Sequence, residues 1–262
     1  MATVNRRRLI AYSVGGAVTL VAVALGAYFI FFGSSPEEVS LDSAVESARS
    51  GASTTTAASS TDSTETTVGT ETTATTGGIA GEWIVDTSIG EFSFEDATSS
   101  FVGFRIQEEL ASIGAAEAVG RTPTIDGTLV IEGTTVTDAT VTADMTDIVT
   151  NNSRRDDRVQ DALTTGEFPT ATFSLTEPFD IGSDLSDGDQ FAITAVGDLT
   201  IAGVTNQVEM PIEAQVVGEL VVVVGSLDIS FADWNVAVPT APAVVSVEDR
   251  GPLEMQLFFA RA

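Results

Sequence analysis

The chain has 262 residues, no cysteine and no histidine, and all 11 of its basic residues are arginine. Those absences remove a disulfide framework, a thiol nucleophile, the commonest general base, the commonest zinc ligand and any Schiff-base or phosphate-loop lysine. A net charge of −27 makes the surface repel nucleic acid and anionic headgroups, so no nucleic-acid partner is expected.

Residues 1–8 end in Arg6, Arg7 and Arg8 and read as a cytoplasmic N-terminus, because flanking arginines stay inside. The uncharged apolar run Leu9–Phe32 follows. As a helix at about 1.5 Å per residue it reaches roughly 36 Å, against a hydrocarbon core of about 30 Å. A secretory signal has an apolar core of only about 7–15 residues with a small-residue cleavage site after it. Here Tyr28-Phe-Ile-Phe-Phe32 prolongs the run instead. Residues 9–32 therefore read as an uncleaved transmembrane signal anchor, single-pass in the cytoplasmic membrane, with the C-terminal bulk extracytoplasmic. A cleaved signal is the competing reading, and Arg6-Arg7-Arg8-Leu9-Ile10 keeps a twin-arginine signal as a third.

Residues 33–81 contain no aromatic residue, and Ser50–Gly78 is dominated by Ser and Thr. Such a stretch cannot bury enough apolar surface to offset the entropy of ordering, so 33–81 is expected to be a disordered linker, with Leu41–Arg49 able to form at most a turn or two of helix. As a flexible coil of about 5–6 Å × √n, it has a root-mean-square span of about 40 Å. It reads equally as a glycosylated stalk or a bare spacer.

The folded domain is expected over 82–262, where 31 acidic residues face seven arginines. Its runs alternate with period two. Ala139, Val141 and Ala143 fall on one face; so do Ala171, Phe173 and Leu175, then Phe191, Ile193, Ala195, Leu199 and Ile201. Val208, Met210, Ile212, Ala214 and Val216 follow, then Leu227, Ile229 and Phe231. That period marks antiparallel strands with one buried and one wet face. Turns are expected at Glu132-Gly133-Thr134, Asp187-Gly188-Asp189, Ala202-Gly203 and Gly218. One interruption, Arg154–Leu163, predicts a short helix capped from Ser153, with Val159 and Leu163 four apart on its apolar edge. Pattern alone stops at an antiparallel all-β domain, sandwich or barrel, with one short helix.

Two stretches carry more. Asn152-Ser-Arg-Arg-Asp-Asp-Arg-Val-Gln-Asp-Ala-Leu163 runs into Phe168-Pro-Thr-Ala-Thr-Phe173, and Gly197-Asp-Leu-Thr-Ile-Ala-Gly-Val-Thr205 follows. Together they resemble the signature of the YceI-like family of extracytoplasmic, lipocalin-like lipid-binding proteins, over about residues 82–262. The resemblance implies a closed eight-stranded barrel and non-catalytic binding of a polyisoprenoid-like or other amphipathic lipid, without a cofactor. The match lies in Arg155-Asp156 or Arg154-Asp156, since both residues are doubled. Relatives often carry His where this chain has Ala202.

On that reading the candidate ligand-binding residues are Phe94, Phe101, Phe104, Phe168, Phe173, Phe191, Ile193, Phe231 and Trp234. Arg154 and Arg155 are the candidates for holding a polar head at the barrel mouth. The bland alternatives are core aromatics and a solvated helix, in a filled barrel that serves as a structural or adhesive surface module. Asp184-Leu-Ser-Asp187-Gly-Asp189 lacks the spacing and distal Glu of a calcium loop, so no metal site is expected. There is no Gly-x-Ser-x-Gly elbow, and a serine would have no histidine base, so no enzyme is expected.

Overall fold

The computed structural model describes residues 35–57, 78–95, 98–111, 114–238 and 244–262. The apolar run 9–32 lies outside them, and among the described residues no helix is long and apolar enough to cross a membrane.

Strands dominate, as the period-two runs require. They are β1 (Gly81–Val85), β2 (Phe101–Leu110), β3 (Gly114–Thr122), β4 (Ile125–Glu132), β5 (Thr135–Asp144), β6 (Val149–Thr150), β7 (Thr170–Leu175), β8 (Phe179–Asp180), β9 (Gln190–Ile201), β10 (Val204–Val217), β11 (Leu220–Ser230), β12 (Val244–Val247) and β13 (Arg250–Arg261). Neighbours pair antiparallel in the order β1-β4-β5-β7-β9-β10-β11-β13, and β13 pairs back to β1. That ring closes an eight-stranded barrel and leaves no open edge along it. β13 is long enough to serve two neighbours. Trp83–Val85 of β1 pair with its last residues, and Phe101–Phe104 of β2 pair with Leu253–Gln256. The β2–β3 hairpin therefore flanks the ring rather than interrupting it.

The faces predicted from alternation hold. Val141 pairs with Phe173, Phe173 with Leu199, and Met210 with Ala195, so the apolar sets stack on one side of the wall. The β9–β10 hairpin turns through Ala202 (φ 48°) and Gly203 (φ 76°), both left-handed, as a two-residue turn between right-twisted strands demands.

Two helices occur where one was expected. Helix α2 (Ser153–Leu163) is capped from Asn152, whose side chain accepts from the Arg154 N–H at 3.0 Å, one residue earlier than the sequence suggested. It ends in a left-handed Thr164 (φ 53°) and buries Val159. Helix α1 (Leu41–Ala57) corrects the reading of 33–81 as linker throughout. Leu41, Ala44, Val45 and Ala48 recur at helical spacing and are 0–8 % exposed, packed on Val217, Leu220, Val222, Val224 and Phe258. These belong to the outer side of β10, β11 and β13, so α1 roofs the barrel wall from outside. Gly51 permits the approach, since a Cβ there would lie 2.8 Å from the Gly90 backbone N.

Candidate functional site

The barrel interior is lined mainly by apolar side chains, some dry and some only half-buried. At one end Trp83 (2 % exposed), Ile131, Val136, Val221, Leu257 and Phe259 are dry, and Ile79 and Leu185 cover them. At the other, the turn Phe231–Trp234 closes over Leu199, Ile201 and Ile229. Between these plugs the inward side chains Val102, Val141, Phe173, Leu175, Phe191, Ile193, Val208, Ile212, Leu227, Leu253 and Met255 are half-buried, while Ala195, Met210, Ala214 and Val223 among them are dry. A closed wall hides such side chains from bulk solvent. They pack against the buried clusters at the two ends of the barrel.

Among the described residues no charged side chain projects into this middle section, whose inward residues are Val, Ile, Leu, Phe, Met, Ala and Gly. Both indole N–H groups are already occupied. Trp83 Nε1 donates to the Ile79 carbonyl at 2.8 Å, and Trp234 Nε1 donates to the Leu199 carbonyl at 3.1 Å. The interior thus offers contact area and almost no polar grip.

Charge sits at the rim and on the outer wall. Beyond Ile106 on β2, Glu108 is 9 % exposed and takes the Arg155 guanidinium at 2.5 Å. The same arginine donates to Asn151 Oδ1 at 2.6 Å. Asp156 accepts from both the N–H and the hydroxyl of Thr150 at 2.7 Å, which ties α2 to β6. Arg154 and Asp157 are exposed, so the doubled motif resolves: Arg155 and Asp156 make the contacts.

On the outer wall, Arg105 and Arg121 lie side by side at 2–3 % exposure. Glu254 accepts from Arg105 Nε at 2.8 Å and from Arg121 Nη2 at 2.9 Å, and Glu117 accepts from Arg105 Nη1 at 2.9 Å. The Arg121 guanidinium also lies 4.4 Å from the Phe101 ring centroid. Burial pulls the Arg121 pKa below its ordinary value, the adjacent Arg105 adds to this, and Glu254 opposes both.

The structure distributes the candidates from sequence unevenly. Phe173, Phe191 and Ile193 face inward and are half-buried, while Phe231 and Trp234 form the plug. Phe104 faces inward but packs with Ile148 and Val159 beneath α2. Phe101 faces outward under Arg121 and does not line the interior. Phe168 is 37 % exposed, with its ring against Gly203, where a Cβ would approach within 2.5 Å. Phe94 lies half-buried in the loop before β2. Arg155 is engaged by Glu108, and Arg154 points to no interior contact. Attention to aromatics missed the aliphatic lining. Val141, Leu175, Val208, Ile212 and Leu227 were legible as inward faces from their alternation, whereas Val102, Leu253 and Met255 were not.

A family model described as YceI-like domain matches residues 95–259, more than half of the chain. The chain belongs to the YceI-like domain family. Among solved structures, the polyisoprenoid-binding domain from Saccharophagus degradans implicated in plant cell wall breakdown is similar at 17 % identity and TM-score 0.54, over 70 % of this chain and 99 % of that one. Burkholderia cenocepacia BcnA matches at 18 % identity and TM-score 0.47, over 60 % of this chain and 95 % of its own. The Campylobacter jejuni YCEI protein matches at 20 % identity and TM-score 0.44, over 55 % and 84 %. No curated protein matches. At these identities the first likeness supports the YceI-like barrel fold, in which β9 and β10 carry the Gly197–Thr205 hairpin and α2 carries the Arg155-Asp156 pair.

Proposed function

We propose that this YceI-like chain is a non-catalytic carrier that holds one long, neutral, apolar molecule of the polyisoprenoid class inside its barrel, outside the cytoplasmic membrane to which residues 9–32 anchor it. The observation that carries the reading is the uncharged inward lining of the closed barrel, in which Val141, Phe173, Phe191, Ile193, Ile212 and Leu227 are only half-buried. Sequestering a hydrocarbon chain there contributes about 0.8 kcal/mol per buried CH₂. A phosphate or carboxylate head drawn into that section would be desolvated without a partner, at a cost of several kcal/mol. Arg155 is the cation nearest the rim motif, and Glu108 already occupies it. The polyisoprenoid-binding description of the Saccharophagus degradans domain agrees in ligand class.

The test is native mass spectrometry of the purified full chain, released from detergent, with organic extraction of whatever co-purifies. A one-to-one adduct with a polyprenol or an isoprenoid quinone, and none with the matching polyprenyl phosphate, is the expected result. A chain that stays apo after incubation with both neutral lipids would be a filled barrel, and the carrier reading would be withdrawn.

A further inference from the structure

Two stretches of main chain that flank the Ser/Thr-rich tract are fixed on the same folded unit. Upstream, the Glu37 carbonyl accepts from Arg121 Nη2 at 2.8 Å and from Arg105 Nη2. Those guanidiniums are 3–4 % exposed, so this carbonyl completes a buried hydrogen-bond set that Glu254 and Glu117 leave open. An unmet buried donor of a charged group costs more than a neutral one, about 1–3 kcal/mol and upward. Three residues on, Ser40 Oγ accepts from the Ser43 N–H at 3.3 Å and starts α1. Ala44 and Ala48 then sit at 0 % exposure on the barrel wall. Downstream, the Arg261 guanidinium donates to the Ala80 carbonyl at 3.0 Å and to the Gly78 carbonyl. That guanidinium stacks 4.5 Å from the Trp83 ring centroid, and Ile79 is 3 % exposed.

We infer that Glu37–Ala48 is a clasp that fixes the start of the domain to the outer barrel wall, so that the folded unit begins near Glu37 and the Ser/Thr-rich tract is not the spacer between barrel and membrane. This rests on the anchor reading of residues 9–32 only for its consequence. If that run is in the bilayer, the free tether shrinks from 49 residues to the few between Phe32 and Glu37. Five residue steps at about 3.3–3.6 Å span at most roughly 18 Å, whatever their path. The long tether expected from composition would instead have allowed a root-mean-square span of about 40 Å. On the anchor reading, the clasp would limit the domain's reach from the bilayer to that short tether.

Two measurements separate the clasp from the anchor. Hydrogen exchange on the full chain reads the clasp directly: amides of Ala44–Ala48 should exchange within about tenfold of those of Val222–Val224, as members of one cooperative unit. Exchange of Ala44–Ala48 at free-peptide rates overturns the proposal, in a bilayer or out of it. For the consequence, a donor dye on Glu219→Cys, in a chain with no other cysteine, reports energy transfer to acceptor-labelled phosphatidylcholine vesicles. Deleting residues 61–70 should leave transfer unchanged, while inserting 20 Gly/Ser residues after Ser34 should lower it at least twofold. The opposite pattern, with the deletion changing transfer and the insertion not, shows that the tract is the spacer and overturns the proposal. Failure of the chain to float with vesicles would sink the anchor reading, and the exchange result would still decide the clasp.

Discussion

Along β11 and β13 the barrel wall has two differently finished faces. Outward, Val222 and Phe258 are 0 % exposed beneath α1, and the dry contact runs the length of the helix face from Leu41 to Ala48. Inward, Val221 and Leu257 are equally dry beside Trp83, but Leu227, Leu253 and Met255 further along the same strands keep accessible surface. An apolar face that is dry contributes to folding, at about 25 cal/mol per Å² removed from water. Inward surface that stays accessible would, on the proposed function, hold that contribution in reserve for a ligand. The outer face is thus where stability resides, and the inner middle is where the proposed ligand would be held.

The strongest way to break this comparison is on the outer wall. Glu254→Ala leaves two buried guanidiniums short of their shared carboxylate, and it should lower unfolding free energy by about 3–5 kcal/mol in urea titration. Phe258→Ala should cost about 3–5 kcal/mol by the same measurement, with uptake of a neutral isoprenoid by the folded fraction unchanged. Moving inward, Phe191→Ala should cost about 1–2 kcal/mol, because the ring is only half-buried. The same variant should weaken isoprenoid uptake about tenfold, equivalent to about 1.4 kcal/mol. A reversal, with Phe258 controlling uptake and Phe191 controlling stability, would mean that the two faces have been assigned the wrong way round. The smallest effect lies away from both faces. Ala202 holds a left-handed backbone at φ 48°, so Ala202→Gly should raise the melting midpoint, corresponding to about 1 kcal/mol of relieved strain.

Much of this was legible in residue order, and the exceptions have physical causes. The inner faces of β5, β7, β9 and β10 were readable because their outer faces are wet, which makes alternation visible. Leu220–Val224 does not alternate, since α1 covers its outer side and both faces are buried. That continuous apolar run was itself a sign of a covering element. Helix α1 was legible only as a turn or two over Leu41–Arg49, because its buried face uses alanine twice and its surroundings are Ser and Thr, so composition masked how far it runs and that Leu41, Ala44, Val45 and Ala48 pack on the barrel. Arg105, Arg121 and Glu254 could not be joined from sequence, because the hydrogen-bonded pairs lie 133 and 149 residues apart. Phe101 and Phe168 looked like lining because they are aromatic, but the parity of β2 turns one outward and the loop before β7 leaves the other on the surface.

The most direct test of the hollow-barrel account uses the chain's own two tryptophans, Trp83 and Trp234, which close opposite ends of the interior. Titrating the full chain in detergent with an isoprenoid quinone, and following tryptophan fluorescence, should give saturable quenching that ends at one equivalent per chain. Quenching that rises linearly without saturation, as it would for a quinone that meets the protein only in the detergent, would contradict a ligand-holding interior.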